Sequence, residues 1–391
     1  DIYCIRVYDN NLTRHQILDN WIADTQNIDD KLVRYNRNDI FDVDGSSILI
    51  SKFPVDLPYM YLTAPALPTY KGNKLPVDGY YSDRQNQDKS FEFSGATADV
   101  QGTSSAGYAR KNYKIKFDNG FVVNGVTQAN YQMRDDSIAT KTFTFKADVA
   151  SSEGENHVEL VRLYNAICPS KTPPQKADSS IRQGIDGFPI IIFHDDGTNT
   201  NFVGKYNFNN DKGTPEVYGF AVGDESWESL NNTSERVVWK NADFSGTEWQ
   251  NDFEARYPKD NTDVQNLAAF AAWLVSTDQT AATNAALETP VTYDEVSYTT
   301  DSAAYRLAKF KAELANYVEI DSTVFYYLFT ELFLMVDSRA KNAFPSKFGT
   351  GKICWLPYDF DTAIGINNEG ALVFSYHLED IDQIGSGADV F

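Results

Sequence analysis

Apolar and polar positions alternate with two different periods along this chain, and the change from one period to the other divides it. Up to about residue 212 the dominant period is two, that of a half-buried strand. "DIYCIRVYD", "SSILISKF", "YMYLTA", "KSFEF", "KNYKIKF" and "KTFTFKADVA" all read as strands. Two helical spacings interrupt them. One is "LTRHQILDNWIADTQNI", with Ile17, Trp21 and Ile22 on one side. The other is "SSEGENHVELVRLYNAI", where Ser151 or Ser152 can cap a helix carrying Val158, Val161, Leu163 and Ile167. "GFPIIIFHDDGTNTNFVGKYNFN" predicts the clearest hairpin, an apolar run and an alternating return joined through Asp-Gly and Asn residues. After about residue 300 the period is helical. "AAYRLAKFKAELANYV" places Leu307, Phe310, Leu314 and Val318 on one face, and an aromatic-rich helix follows with Asp321 and Ser322 as N-cap candidates. Strands first and helices later point to an α+β chain with a mostly antiparallel sheet.

Punctuation within this pattern suggests boundaries. Pro68 to Gly79 is rich in Pro, Lys and Gly, so it marks off a mixed, β-rich region 1–80 from a second region 81–391. Residues 213–302 are polar and rich in Trp, Asn and Thr, with one helix around "VQNLAAFAAWLVST", and read as an insertion or subdomain. "DVDGSS" (Asp42 to Ser47) matches the first half of a calcium loop but lacks the closing Glu, so it reads as a turn.

Composition narrows the function classes. With 42% hydrophobic and 14% aromatic residues, the 391-residue chain can bury a large core. A net charge of −21 argues against broad contact with nucleic acid or an anionic membrane, because counterion release needs a basic face. Cys4, Cys168 and Cys354 are too scattered for a disulfide framework or a zinc site, and four dispersed histidines do not change that. The most apolar run, Phe325 to Val336, contains Glu331 and is too short to span a bilayer.

Two stretches carry candidate chemistry. In the first, Asp337 and Asn342 lie five residues apart after a helix, the spacing of the Asp and Asn in a kinase catalytic loop. A Gly-rich turn and a short apolar strand then lead to Asp359-Phe360-Asp361, placed like a metal-binding Asp on a hairpin. Carboxylates among aromatic residues are costly unless a cation compensates them. The second stretch is Gln101 to Gly107, a small-residue loop whose N–H groups and hydroxyls suit phosphate, followed by Arg110, Lys111, Lys114 and Lys116. A Ser/Gly turn beside a solvated edge strand describes the same residues equally well. His157, at a helix start, reads as structural. Glu331 either bonds within the core or orients the catalytic loop, and its spacing does not choose between them.

Four segments in order resemble one family, the CotH-type atypical protein kinases. They are "QGTSSAGYARKNYKIKF", "FTFKADVASSEGENHVELVRLYNAI", "GFPIIIFHDDGTNTNFVGKYNF" and "MVDSRAKNAF" with "GKICWLPYDFDTAIG". The resemblance implies an atypical protein-kinase-like fold. Its N-lobe would be a mostly antiparallel sheet and its C-lobe helical, with an extra N-terminal β-rich region and an inserted segment. It implies transfer of the ATP γ-phosphate to a Ser or Thr hydroxyl of a protein, with Mg2+ or Mn2+. Asp337 and Asn342 become catalytic, and Asn342, Asp359 and Asp361 metal ligands. Gln101, Ser104, Ser105, Lys111 and Lys146 fall at nucleotide-binding positions. The family's Arg is Gln101 here and its Trp-Asp is Tyr358-Asp359. The missing arginine keeps a second expectation open, a catalytically inactive structural or adhesive module of a phage virion or cell surface. The partner is then a protein substrate or a neighbouring virion or coat protein, without nucleic acid or membrane. A virion-associated or extracellular setting is expected over a cytoplasmic one.

Overall fold

Phenylalanine and tyrosine on alternate positions give the strands between residues 59 and 210 one face that must be hidden from water, and the chain hides it by curling the sheet. In a computed structural model the described residues are 57–376, apart from 84, 103–104, 150–155, 231–238, 240–241, 336–337, 340–341 and 368. Contacts divide the chain into two compact units, Asp1–Leu57 and Pro58–Phe391. The expected strands, helix and turn before residue 57, and the cap at Ser151 or Ser152, lie outside the described residues.

Nine strands form the larger sheet: β1 (Tyr59–Thr63), β2 (Leu75–Ser82), β3 (Phe91–Gln101), β4 (Asn112–Lys116), β5 (Phe121–Val123), β6 (Val126–Gln128), β7 (Thr142–Lys146), β8 (Gly187–Asp195) and β9 (Thr200–Asn210). Their order is β2-β1-β8-β9-β7-β4-β3-β5-β6, and β2 also pairs with β3, so seven strands close into a ring. Every pairing is antiparallel except β1 with β8. The ring surrounds Met60, Tyr81, Phe91, Ile115, Phe143, Ile192 and Phe208, all at most 2% exposed. Of the Pro68–Gly79 stretch expected as a linker, Leu75–Gly79 belong to β2, which pairs with both β1 and β3, so the sheet runs without interruption across it.

A second sheet has the order β11-β10-β14-β15, built from β10 (Glu225–Ser229), β11 (Phe253–Tyr257), β14 (Ala343–Lys347) and β15 (Ile353–Pro357). The segment 213–302 therefore supplies two strands beside the hairpin that ends at Asp359, together with a separate hairpin, β12 (Ala286–Tyr293) and β13 (Val296–Thr300). Four helices of twelve or more residues stand among the described residues: α1 (Asn156–Ile167), α2 (Gln265–Thr277), α3 (Ala303–Tyr317) and α4 (Ile320–Leu332). Their aromatic faces meet in a second core, where Tyr164, Trp239, Phe270, Trp355 and Phe360 are buried and Phe310 and Leu314 of α3 pack against them. The chain is thus mixed α+β, with a sheet-rich N-terminal part and several helices. No described helix is long and apolar enough to cross a membrane.

The start of α4 differs from expectation. The helix begins at Ile320, two residues earlier than an Asp321 cap would place it, and Glu319 occupies the N-cap without a side-chain cap bond. Asp321 lies in the first turn, where a carboxylate suits the positive end of the helix. Ser322 is buried and its Oγ accepts from the Trp355 N–H at 3.5 Å, so tertiary packing has taken over that hydroxyl.

Candidate active site

Lys146 ends β7, and the pleat that turns Phe143 and Phe145 into the ring core turns its ammonium the other way. The lysine is only 5% exposed. A lone charge there would be strongly disfavoured, and its partner comes from the other end of the chain, the Asp359 Oδ1 at the foot of β15. Burial pulls the Lys146 pKa down, but Asp359, Tyr358, Asp361 and Asp148 outweigh it and hold the lysine well above its usual value. Burial conversely pushes Asp359 up, and the Lys146 ammonium beside it, aided by Lys212, holds it down at about 2. The pair is ionised at neutral pH.

Asp359 occupies left-handed backbone, φ 58° and ψ 59°, which few non-glycine residues adopt without outside support. Support comes from both sides. Tyr358 is 3% exposed, stacks on Phe344 with centroids 5.1 Å apart, and carries Lys212 and Lys146 over its ring at 4.2 and 4.7 Å. Phe360 is fully buried between Tyr164 and Phe329, and its N–H donates to His157 Nδ1 at 3.0 Å. Beyond the turn, the Ile364 and Gly365 N–H groups donate to the Phe333 and Leu334 carbonyls at the end of α4.

Asn342, 4% exposed, opens β14 in left-handed backbone at φ 57°. Asp337 lies outside the described residues. Its neighbours are anchored, since Tyr326 of α4 donates its hydroxyl to the Ser338 carbonyl. Arg339 pairs with Glu331 at 2.5 Å and covers the Tyr327 ring at 5.0 Å. The Glu331 carboxylate thus ties α4 to Arg339, between the helix and β14.

The small-residue loop faces this arrangement from β3. Gly102 takes φ 110°, and a Cβ there would lie 2.1 Å from Ser105 Oγ, so the tight turn requires glycine. Asn112 fastens the loop: its Nδ2 donates to Ser105 Oγ at 3.1 Å while its Oδ1 accepts the Ala147 N–H at 2.7 Å. The Lys111 ammonium donates to the Ala106 carbonyl at 2.8 Å and does not line the cavity, and Ser104 lies outside the described residues.

Gln101, Ser105, Lys146, Asn342, Asp359 and Asp361 all line one cavity of about 360 Å³. Sequence reasoning missed several of its other walls. Asp148 is 4% exposed, in left-handed backbone, and accepts from Asn207. Burial, aided by Asp359 and opposed by Lys146, pushes it up to about 6. Lys114 pairs with Asp211 at 2.5 Å, and Lys212 and Arg256 share the Glu228 carboxylate. For Asp148, Asp211 and Lys212 the only sequence signals are the short runs "KAD" and "NNDK", which no single spacing makes specific; Lys114 belongs to the basic strand already singled out, and Glu228 and Arg256 carry no local signal. Seven acidic and five basic side chains line the cavity, an excess of negative charge that suits a cation.

Asn342, Asp359 and Asp361 are amide and carboxylate oxygen donors, the set preferred by hard divalent ions that keep water and phosphate in their remaining positions. Their chemistry fits such an ion, although no group of three or more His, Cys, Asp or Glu converges on one point among the described residues. A family model described as CotH kinase protein matches residues 276–387, a stretch that includes Asn342, Asp359 and Asp361 but neither the loop at Gln101 nor Lys146. A search of the curated proteins returns no match.

Proposed function

We propose that this chain, which over residues 276–387 belongs to the CotH kinase protein family, transfers the γ-phosphate of ATP to a serine or threonine hydroxyl of a protein. The observation that carries this reading is the cavity itself. A buried lysine, two carboxylates and an amide from distant parts of the chain meet there beneath a glycine-containing turn. In phosphoryl transfer the protein contributes mainly position and charge, and those are the features this cavity has. In this reading the N–H groups around Gln101 to Ser105 cradle the phosphates. Lys146 holds a phosphate oxygen, and Asp337 orients the attacking hydroxyl. Asn342, Asp359 and Asp361 hold Mg2+ or Mn2+, which supplies charge neutralisation at the phosphates when bound. The partner is a protein substrate, and the acidity of the chain disfavours nucleic acid and anionic membrane surfaces.

One observation favours a second reading, an inactive structural or adhesive module of a virion or cell surface. Gln101 stands where the family resemblance implies arginine, and its Oε1 is buried with no hydrogen-bond partner among the described residues. A neutral side chain there leaves one fewer positive charge for phosphate. Incubation of the full chain with radiolabelled ATP and Mn2+ separates the two. The first reading expects label on protein that Asp359→Ala reduces at least a hundredfold, and equal labelling of wild type and variant overturns the site. Thermal melting adds a test independent of turnover. A hundredfold excess of ATP over its dissociation constant should stabilise the fold by about 2.7 kcal/mol, and no shift with either metal favours the inactive module.

A further inference from the structure

His157 is the second residue of α1 and is completely buried. Its Nδ1 accepts the Phe360 N–H at 3.0 Å, while Nε2 is buried and has no hydrogen-bond partner among the described residues. Burial, reinforced by the charge of Lys146, pulls the ring down to about 3. The imidazole is therefore neutral, with its proton on Nε2 and a lone pair on Nδ1. A buried N–H without a partner disfavours folding. An apolar side chain would fill the same space against Tyr358, whose ring centroid is 6.0 Å away, without that penalty. What an apolar side chain cannot do is accept the Phe360 N–H. That bond falls one residue after Asp359, at the point where the chain leaves its left-handed conformation.

We propose that His157 is a positioning residue: by accepting the Phe360 N–H at Nδ1 it fixes the Asp359 turn, and so sets how tightly the cavity holds a divalent cation. This rests on the reading of the cavity as a metal–nucleotide site. Side chains that orient metal ligands from behind typically alter affinity by about 10–100-fold, and this one acts through the backbone. Asparagine places an acceptor oxygen close to the position of Nδ1, whereas glutamine places it near Nε2 and leucine supplies none.

Mn2+ affinity, measured on the full chain by calorimetry with the metal alone, should therefore fall about 10-fold or more in His157→Leu and His157→Gln but stay within about threefold of wild type in His157→Asn. Backbone hydrogen exchange over residues 358–362 should rise in His157→Leu and His157→Gln and remain near wild type in His157→Asn. All three variants lose the imidazole packing, so equal weakening in the three would show a purely structural role and overturn the proposal. Wild-type-like binding and exchange in His157→Leu would overturn it as well. Failure of wild type to bind Mn2+ would instead remove the metal-site reading. The exchange comparison would still decide whether His157 holds the turn.

Discussion

The two walls of the cavity are held in place by different means. On the Lys146 side, position follows from a closed ring of strands. The lysine is one tooth of a pleat whose other teeth, Phe143 and Phe145, are buried, so its direction is fixed wherever the sheet forms. On the Asp359 side, the backbone itself is unusual. Asn342 and Asp359 both take left-handed conformations, and individual bonds from Tyr326, Glu331 and His157 hold the surrounding loops. A wall set by a sheet tolerates the loss of one contact. A wall set by single bonds to strained loops should not.

Substitutions can break this contrast. The largest effect is expected at the seam. Removing either partner of a buried ion pair costs about 3–5 kcal/mol, less here because the Asp359 side chain keeps a quarter of its surface exposed. Chemical denaturation should show Lys146→Met and Asp359→Leu each destabilising the chain, with the double variant more stable than their sum. Strict additivity would mean the pair is not coupled. Next comes Arg339→Ala, which removes the buried ion pair between Glu331 of α4 and the segment that follows it. A loss of about 3 kcal/mol is expected in the same measurement, and a change below 1 kcal/mol would remove the single-bond account of that loop.

A smaller effect concerns pH. Asp148 is pushed up from 3.8 to about 6 by burial, so the folded chain holds its proton where the unfolded chain has lost it. That contribution to stability is present below pH 4, fades as pH rises towards 6 and is absent above. Asp148→Asn should flatten the curve in that window and raise stability at pH 7 by up to about 3 kcal/mol. An unchanged slope would show that another group governs it. The smallest effect is expected on the sheet-held side. Asn112→Ala removes two hydrogen bonds, one to Ser105 in the small-residue loop and one from the Ala147 N–H, for a loss of about 1–2 kcal/mol with the ring intact.

The sequence was readable where periodicity and local turns decide structure. The β8–β9 hairpin, α2 and α3 follow from patterns within a single segment, and so does the Asp359-bearing hairpin. What it concealed is non-local. The parallel pairing of β1 with β8 and the closure of β2 on β3 join residues with no local signal between them. β10 reads "ESWES" and looks like a surface loop, yet four of its five residues are buried, because Glu228 answers Lys212 and Arg256 and Ser226 bonds to Ser346. Polar residues buried by one another defeat any reading that equates polarity with exposure. At the site, Asn342 and Asp359 follow from motif spacing and Lys146 from the family resemblance. Asp148, Glu228 and the bond from His157 needed three dimensions.

The central claim is that the two walls form one nucleotide site. Titration calorimetry of the full chain with ATP, with and without Mn2+, tests it most directly when Lys146→Met and Asp359→Ala are run beside wild type. The expected result is metal-dependent ATP binding that either variant, from opposite walls, weakens at least tenfold. Binding that ignores both substitutions would contradict it.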